Sequence, residues 1–270
     1  MDLESTFGTR TPVVGMVHLP PLPGAPRFDG DLETVVERAV ADAESLSAGG
    51  VDGLLVENFG DAPFHPDDVP KHTVAAMTRA ATAVTDAADL PLGVNVLRND
   101  AGAALSVAAA VGAAFVRVNI HAGARVTDQG VVEGRAHETL RLRERLNADV
   151  GVLADIGVKH SAPLSERSVR EELRDVRERG LADAAVVSGP ATGERVGEAA
   201  LGTAIEAREA VAPETPVLVG SGVTADNAAD LLSVADGAIV GTALKEGGET
   251  TAPVDEGRVA DVVSAVDAVR

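Results

Sequence analysis

Two stretches near the C-terminus, VLVGSGVTADN at residues 217–227 and AIVGTALK at residues 238–245, share one pattern. In each, a short apolar run rich in β-branched residues ends in a glycine next to a hydroxyl residue. Such runs are typical of strands that are buried on both faces of a parallel sheet. Helical periodicity follows each run, so we interpret the two stretches as successive strand–helix units.

The same unit recurs along the whole chain. Apolar runs lie at residues 13–17, 53–57, 92–97, 115–120, 150–155, 184–188, 217–220 and 238–241. Segments with helical periodicity lie at residues 32–48, 74–87, 101–111, 136–146, 165–180, 196–211, 226–233 and 256–269. Eight such units in 270 residues predict a (β/α)8 TIM barrel, an α/β fold, as one domain over residues 1–270. A doubly wound sheet would carry a glycine-rich fingerprint after its first strand, and none follows Val17.

Two predicted strand-to-helix loops are long and rich in proline. They are LPPLPGAPRFDGD after His18, and the segment from Asn58 to Thr73. Loops of this length are usually functional or disordered, and the presence of Phe28, Phe59 and Phe64 argues against disorder. We therefore expect a semi-rigid lid over the C-terminal mouth of the barrel, where active sites of this fold lie.

The composition excludes several classes of function. The absence of cysteine excludes disulfides, thiolate metal sites and a cysteine nucleophile. A net charge of −19, from 42 acidic and 23 basic residues, argues against nucleic acid as a partner. It resembles the composition of proteins from salt-loving archaea. With no membrane span and no signal peptide in the sequence, we predict a cytoplasmic protein with no membrane partner.

Glycines and hydroxyl residues at the last three strand ends predict a phosphate site. Glycine lets the backbone approach an anion, and the loops after strands seven and eight hold phosphate in barrels of the ribulose-phosphate-binding type. The same pattern is also typical of ordinary turns. The predicted phosphate-binding residues are Gly189, Thr192, Gly193, Gly220, Ser221, Gly222, Gly241 and Thr242.

Titratable residues at other strand ends predict acid–base chemistry. Glu57 and Asp155 are the predicted general acid and base, His18 ends the first strand, and Lys159 is one of only three lysines. Lys159 is expected to form a Schiff base or an electrostatic clamp, against the alternative of an ordinary surface lysine. The predicted substrate-binding residues are Asn58, Asn95, Arg98, Asn119, His121, Asp128 and His160. A simpler interpretation is that strand ends turn polar where they reach water.

No cofactor is predicted, but a divalent cation is compatible with the carboxylates of Glu57 and Asp155 together with His18, His121 or His160. Because the protein is acidic, any phosphate site must be locally positive. Arg98, Lys159 and Lys245 are the expected sources of that charge.

Several motifs resemble those of the BtpA/SgcQ family. They are MVHLPPLPGAP at residues 16–26, GVDGLLVENFGDAPF at 50–64, GVNVLRND at 93–100, RVNIHAGARVTDQG at 117–130 and ADIGVKHS at 154–161, together with SGPATG and GSGVTADN. The resemblance implies a barrel of the ribulose-phosphate-binding type. Cyanobacterial members are implicated in photosystem I accumulation, and others belong to sugar-utilisation contexts. Some carry a phosphoribosylanthranilate isomerase label, but such isomerases typically have a catalytic cysteine where this chain has His18.

Three hypotheses of function follow. The first is an enzyme of lyase or isomerase type that acts on a phosphorylated sugar or related phosphoester, with a small phosphorylated metabolite as its partner. The second is a non-catalytic assembly or stability factor, and the third is a metal-dependent hydrolase. Barrels of this kind often self-associate, so a homo-oligomer is a further expectation.

Overall fold

Eight parallel strands close a barrel in the computed structural model, which describes residues 1–158, 160–189 and 198–270. The barrel strands, numbered together with three short strands introduced below, are β1 (Val13–His18), β2 (Gly53–Glu57), β3 (Leu92–Asn95), β4 (Phe115–Val118), β7 (Gly151–Ile156), β9 (Ala184–Val187), β10 (Val217–Val219) and β11 (Gly237–Val240). Gly15 pairs with Leu54 on one side and with Val240 on the other, which closes the ring between β11 and β1. The predicted (β/α)8 barrel, in a single domain with two long loops, is confirmed.

Helices surround the barrel in the predicted order. They are α1 (Leu3–Phe7), α2 (Leu32–Ala48), α3 (Lys71–Ala87), α4 (Ala101–Val111), α5 (Ala136–Leu146), α6 (Val169–Arg174), α7 (Glu198–Val211), α8 (Ala228–Leu232) and α9 (Glu256–Asp267). The helix predicted at 165–180 begins later, because Ser168 forms a capping box with Glu171, and it continues as a π-helix over Asp175–Arg179. No helix in the described ranges is long and apolar enough to cross a membrane.

Alternating side chains of each strand build two apolar layers. Val13 and Val17 face the surrounding helices, whereas Val14 and Met16 face the barrel interior. The helix α1, which the sequence did not predict, closes the N-terminal end of the barrel. Its Phe7 ring packs edge-on against Phe115, with 5.7 Å between the ring centroids. The N-terminal end is therefore filled, and the polar strand ends lie at the opposite, C-terminal mouth.

The two long loops pack against each other at that mouth. The Leu19 N–H donates to the Glu57 carbonyl at 2.8 Å, and the Gly60 N–H donates to the Leu19 carbonyl at 3.0 Å. The Leu22 N–H donates to Asp61 Oδ1 at 2.8 Å. A Cβ atom at Gly60 would lie 2.3 Å from the Pro21 nitrogen, so only glycine permits this contact. The first two strand ends are consequently held together by their loops.

A small antiparallel sheet is added beside the mouth. It consists of β5 (Ala124–Thr127), β6 (Gly130–Glu133) and β8 (Ala162–Pro163), in the order β6-β5-β8. The sequence analysis predicted no strand in these three segments. Val132 anchors the sheet by packing with Ile120 and Val158, while Val126 and Val131 are exposed.

Candidate active site

A cavity of about 430 Å³ opens at the C-terminal mouth. It extends from the ends of β1, β2 and β4 to the loops after β10 and β11 and the first turns of α9. The polar or glycine residues that line it are His18, Glu57, Arg117, Gly220, Ser221, Gly222, Thr224, Asp226, Gly241, Thr242, Gly248, Arg258 and Asp261. Many of the predicted catalytic and phosphate-binding residues thus share one cavity.

His18 and Glu57 end two adjacent strands and form the titratable pair of this cavity. Their residues are paired in the parallel register, and His18 Nε2 lies 3.9 Å from Glu57 Oε1. Both side chains are about 7% exposed. The Phe59 ring from the second loop packs on His18, with 4.9 Å between centroids. The loop therefore fixes the imidazole beside a carboxylate, an arrangement suited to proton transfer.

A buried ion pair lies next to these two residues. Arg117 on β4 donates from Nε to Asp155 Oδ1 at 2.8 Å and from Nη2 to Asp155 Oδ2 at 2.9 Å. Ser188 Oγ and Asn119 Nδ2 also donate to Asp155 Oδ2, each at 3.2 Å. Asn95 Nδ2 donates in turn to Asn119 Oδ1 at 3.3 Å. The predicted base Asp155 is thus engaged by four donor groups.

The two charges of this pair stabilise each other. Burial on its own would lower the pKa of Arg117, but the charge and hydrogen bonds of Asp155, with the nearby Glu57 charge, raise that pKa overall. The Asp155 side chain is fully buried, whereas Arg117 lines the cavity. Of the two residues, only Arg117 lines the 430 Å³ cavity, and Asp155 holds its guanidinium in place. The sequence analysis did not select Arg117.

The loop after β10 offers backbone donors to the cavity. Gly222 has a left-handed conformation with φ of 70°. Asn227 holds the loop, since its Nδ2 donates to the Gly222 carbonyl at 2.9 Å and its Oδ1 accepts from the Thr224 N–H at 2.8 Å. Within the described part of the chain, the N–H groups of Gly222 and Val223 donate to no acceptor. Free amide donors of this kind are suited to an anion.

The loop after β11 supplies further donors to the same cavity. The N–H groups of Thr242 and Ala243 have no acceptor among the residues that the structure describes. Gly241 passes so close to His18 that a Cβ atom would lie 2.8 Å from the imidazole Cε1. The Thr242 hydroxyl exchanges a 2.8 Å hydrogen bond with Thr250. On the neighbouring loop after β9, the Gly189 N–H is already used, because it donates to Ser221 Oγ at 3.2 Å.

One cation near these amides was not expected from the sequence. Arg258 on α9 lines the cavity, and its Nε donates to the Ala243 carbonyl at 2.8 Å. In the described ranges it forms no ion pair with a carboxylate.

The expectation that Lys245 supplies positive charge to the phosphate site was wrong. Its fully buried ammonium donates to Asp42 at 2.9 Å in the helical layer. Burial there lowers the pKa of Lys245.

Arg98 lies near the acidic residues of the mouth. It is 4% exposed, and burial lowers its pKa against the opposing charges of Asp155, Glu57 and Asp128. Asp128 sits in the exposed turn between β5 and β6. The sequence predicted ligand contacts for both residues, and neither lines the 430 Å³ cavity.

Three predicted substrate-binding residues have other surroundings. Asn58 connects two loops, because its Oδ1 accepts from the Leu97 N–H at 2.7 Å and its Nδ2 donates to Asp61 at 3.0 Å. His121 is buried with Nε2 2.8 Å from the Gly180 carbonyl, and burial lowers its pKa. His160 is exposed in a left-handed conformation, with φ of 53°. The structure therefore brings none of these three side chains into the 430 Å³ cavity.

Lys159, Thr192 and Gly193 lie outside the described residues, so their predicted roles stay predictions. In residues 1–158, 160–189 and 198–270, the structure places no three His, Asp or Glu side chains where they would hold a metal ion together.

The comparisons with known proteins agree on one family. Residues 9–268 match the BtpA family. The photosystem I biogenesis protein BtpA of Synechocystis is 46% identical, with 98% of this chain and 91% of that protein covered. The putative sgc region protein SgcQ of Escherichia coli is 34% identical, with 99% and 98% covered. Tryptophan synthase from Mycobacterium tuberculosis superposes with a TM-score of 0.61 at 22% identity, covering 95% of this chain and 93% of that one, which shows the barrel fold alone.

Proposed function

The chain belongs to the BtpA family, and we propose that its barrel is an enzyme that binds a phosphorylated sugar or a related phosphoester. The observation that carries this proposal is that one cavity contains both an imidazole–carboxylate pair and amide donors that have no acceptor in the described part of the chain. The donors lie on the loops after β10 and β11, and the pair ends β1 and β2. In this proposal the amide donors would bind the ligand and the imidazole–carboxylate pair would react with it, within one space of the kind that small-molecule sites use.

The phosphate of the ligand would contact the backbone of Gly222, Val223, Thr242 and Ala243. Four amide N–H groups there, which have no acceptor among the described residues, belong to residues that line the cavity. Arg258 adds a positive charge that no carboxylate neutralises within the described chain. Charge-assisted hydrogen bonds to phosphate are about twice as strong as neutral ones. These groups would give the phosphate hydrogen bonds and one positive charge, in a cavity that Glu57, Asp226 and Asp261 also line.

The reaction we propose is proton transfer next to a carbonyl, as in lyases and isomerases. Glu57 would remove a proton from carbon, and His18, fixed by Phe59, would donate a proton to the developing oxyanion or leaving group. Arg117 would stabilise negative charge on that oxygen, since Asp155 holds its guanidinium at the cavity wall. A Schiff base or clamp at Lys159 remains part of the proposal and is tested by Lys159→Ala.

The first experiment is a dye-based thermal-shift screen of phosphorylated metabolites, because the chain has no Trp or Tyr for intrinsic fluorescence. We expect phosphosugars to raise the melting temperature and Arg258→Gln to abolish that rise. A ligand present at about 100 times its Kd would stabilise the fold by about 2.7 kcal/mol. If no phosphorylated metabolite shifts the melting curve at millimolar concentration, the proposal fails.

Turnover of the ligand that this screen identifies is then followed by ³¹P NMR. Glu57→Gln keeps the size of the side chain and removes its base, so we expect at least about a hundredfold loss of kcat. Glu37→Gln, at an exposed position on α2, is the matched control and should keep full activity. Unchanged turnover in Glu57→Gln would remove Glu57 from the mechanism.

A non-catalytic assembly or stability factor is the alternative function, and the name of the Synechocystis relative favours it. The buried network of Arg117, Asp155, Asn119 and Asn95 at the mouth favours the enzyme, because a scaffold has no need for polar groups that are costly to bury. Affinity purification at the salt concentration of the source cell distinguishes an enzyme from an assembly factor. A stoichiometric protein partner, together with no ligand in the thermal screen, would support the factor.

A further inference from the structure

The loop after β11 and the start of α9 contribute most of the groups that we assign to the phosphate. This loop, residues 241–255, contains the amide donors of Thr242 and Ala243. Its last residue, Asp255, is the N-cap of α9 and accepts a hydrogen bond from the Arg258 N–H at 3.1 Å. The Arg258 side chain in turn donates to the Ala243 carbonyl. The position of the loop therefore determines the positions of two amides and one guanidinium.

Two residues that are far apart within this loop are paired with each other. Lys245 and Val254 face each other in an antiparallel bridge. Beside the bridge, the Asp255 N–H donates to the Leu244 carbonyl at 2.9 Å. The bridge thus joins the segment that carries the amide donors to the segment that begins α9.

One carboxylate on another helix holds both residues of this bridge. Asp42 on α2 is 2% exposed, and its Oδ2 accepts from Lys245 Nζ at 2.9 Å. Its Oδ1 accepts from the Val254 N–H at 2.9 Å and from Arg38 Nε at 3.0 Å. Arg38 also contacts the loop, since its Nη2 donates to the Thr251 carbonyl at 3.4 Å. Asp42 therefore attaches the loop to the helical layer.

This attachment uses a buried ion pair, which is a costly way to hold a loop. The Lys245 side chain is fully buried. Apolar side chains of similar volume often hold two elements together equally well, because they require no removal of water from charges. The ion pair has a different effect, since a displaced loop would leave the ammonium buried without its carboxylate, at a large cost in free energy. The pair therefore favours one position of the loop over others.

We propose that Asp42 is a positioning residue of the phosphate site, which acts through the loop after β11 and touches no ligand itself. The described lining of the 430 Å³ cavity includes Gly241, Thr242 and Ala243 but not Asp42. This inference rests on the proposed function, because it requires that the amides of the loop and Arg258 bind an anion. It adds that the affinity for phosphate depends on a contact in the helical layer, outside the cavity.

The first test is isothermal titration calorimetry of inorganic phosphate with the wild-type chain and with Asp42→Asn. Asparagine keeps the size of the side chain, but it has one acceptor oxygen where three donors converge, and it leaves the Lys245 charge without its partner. The loop is then no longer held at both residues of the bridge. We expect the Kd of inorganic phosphate to rise at least about tenfold.

A double variant separates the position of the loop from the stability of the fold. Asp42→Leu with Lys245→Met removes both buried charges, so we expect a higher Tm than in Asp42→Asn. It also removes the hydrogen bonds that attach the loop, so the Kd of inorganic phosphate should stay at least about tenfold above the wild-type value. This variant also decides the question if Asp42→Asn does not fold.

Leu46→Ala is the matched control for a loss of stability in α2. Leu46 lies on the same helix as Asp42, is fully buried and packs against Gly15 of β1. Its truncation leaves a cavity in the core and should lower Tm, but it removes none of the hydrogen bonds that attach the loop. The Kd of inorganic phosphate in this variant should stay within about twofold of the wild-type value.

Turnover of the ligand from the thermal screen gives a second measurement. His18 and Glu57 belong to β1 and β2, so a displaced loop after β11 removes contacts to the phosphate and leaves these two residues on their strands. The loss of a contact that is made equally in the ground state and the transition state changes KM alone. We therefore expect KM to rise at least about tenfold in both Asp42 variants while kcat stays within about threefold. This comparison replaces calorimetry if inorganic phosphate binds too weakly for a titration.

The outcomes separate this inference from the proposed function. If Asp42→Asn or the double variant binds inorganic phosphate as tightly as the wild type, or if Leu46→Ala binds it as weakly as Asp42→Asn, the inference is overturned while the phosphate site stands. A fall in kcat with unchanged KM would overturn it as well. If neither inorganic phosphate nor any phosphorylated metabolite binds the wild-type chain, the proposed function itself fails and this inference fails with it.

Discussion

Asp155→Asn is the substitution that best tests the organisation of the mouth. Asparagine keeps the shape of the side chain but removes the negative charge that compensates Arg117. The Arg117 side chain is 4% exposed and the Asp155 side chain is fully buried, so little water reaches the charge that would be left without its partner. We therefore expect the variant to lose stability and to misplace the guanidinium at the same time.

The size of the effect follows from the burial of the pair. Removing one partner of a buried ion pair costs about 3–5 kcal/mol, since the remaining charge is left uncompensated. In a domain of this size, 1 kcal/mol corresponds to roughly 2–4 °C in Tm, so the expected loss is roughly 6–20 °C. Replacing both residues, as in Arg117→Met with Asp155→Leu, removes both charges. That double variant should lose only about 1–2 kcal/mol, from the unpaired hydrogen-bond donors that remain.

The free energy of unfolding of both variants is measured by urea unfolding, followed by far-UV circular dichroism. Arg10→Gln serves as a control because the Arg10–Glu4 pair is exposed, and it should lose less than about 1 kcal/mol. The reasoning would be refuted if Asp155→Asn lost less than about 1 kcal/mol, or if the double variant were less stable than the single one.

Three further predictions concern the loops and a buried imidazole. Gly60→Ala forces a Cβ atom into the backbone of the first loop, so Tm should fall by several degrees, whereas Gly202→Ala on α7, with open space around its Cβ position, should have a smaller effect. Gly241→Ala displaces the His18 ring, so kcat on the identified ligand should fall at least about tenfold with little loss of stability; unchanged turnover would contradict the role of His18. Burial lowers the pKa of His121 in the folded state, so its contribution to stability is present above the unfolded pKa of about 6.5 and is lost as pH falls below it. Urea unfolding between pH 7.5 and pH 5.5 should therefore show a smaller loss of stability on acidification in His121→Gln, even if that variant is less stable throughout.

The barrel could be predicted because each of its strands can be recognised from a short stretch of sequence. Each apolar run is buried on both faces, so its length and its polar end are visible in the sequence without knowledge of its neighbours. The helix α1 was missed for the opposite reason. It has only five residues. Leu3 and Phe7 can be recognised as core residues only once the closed barrel, whose N-terminal end they fill, is known. The N-cap Asp2 and the left-handed Gly8 were the available signals.

The site was predictable only where it coincides with strand ends. His18, Glu57 and the glycines after β10 and β11 are found by that rule. Arg117 lies within the strand Phe115–Val118, and a charged residue inside an apolar run was the signal for it. Arg258 gave no such signal, because on α9 it has the pattern of a surface arginine. Its place in the cavity depends on the approach of α9 to the Ala243 carbonyl, which is a tertiary contact.

The net charge of −19 does not oppose an anionic ligand at this mouth. Repulsion between the ligand and distant surface carboxylates is screened over about 10 Å at 0.1 M salt and about 3 Å at 1 M. In the proposed complex, the amide donors near Gly222 and Thr242 and the guanidinium of Arg258 would contact the phosphate directly. Direct contacts are little affected by salt when water is excluded. The net charge is therefore compatible with the anionic ligand that we propose, because the contacts that would hold this ligand come from the few groups that line one cavity.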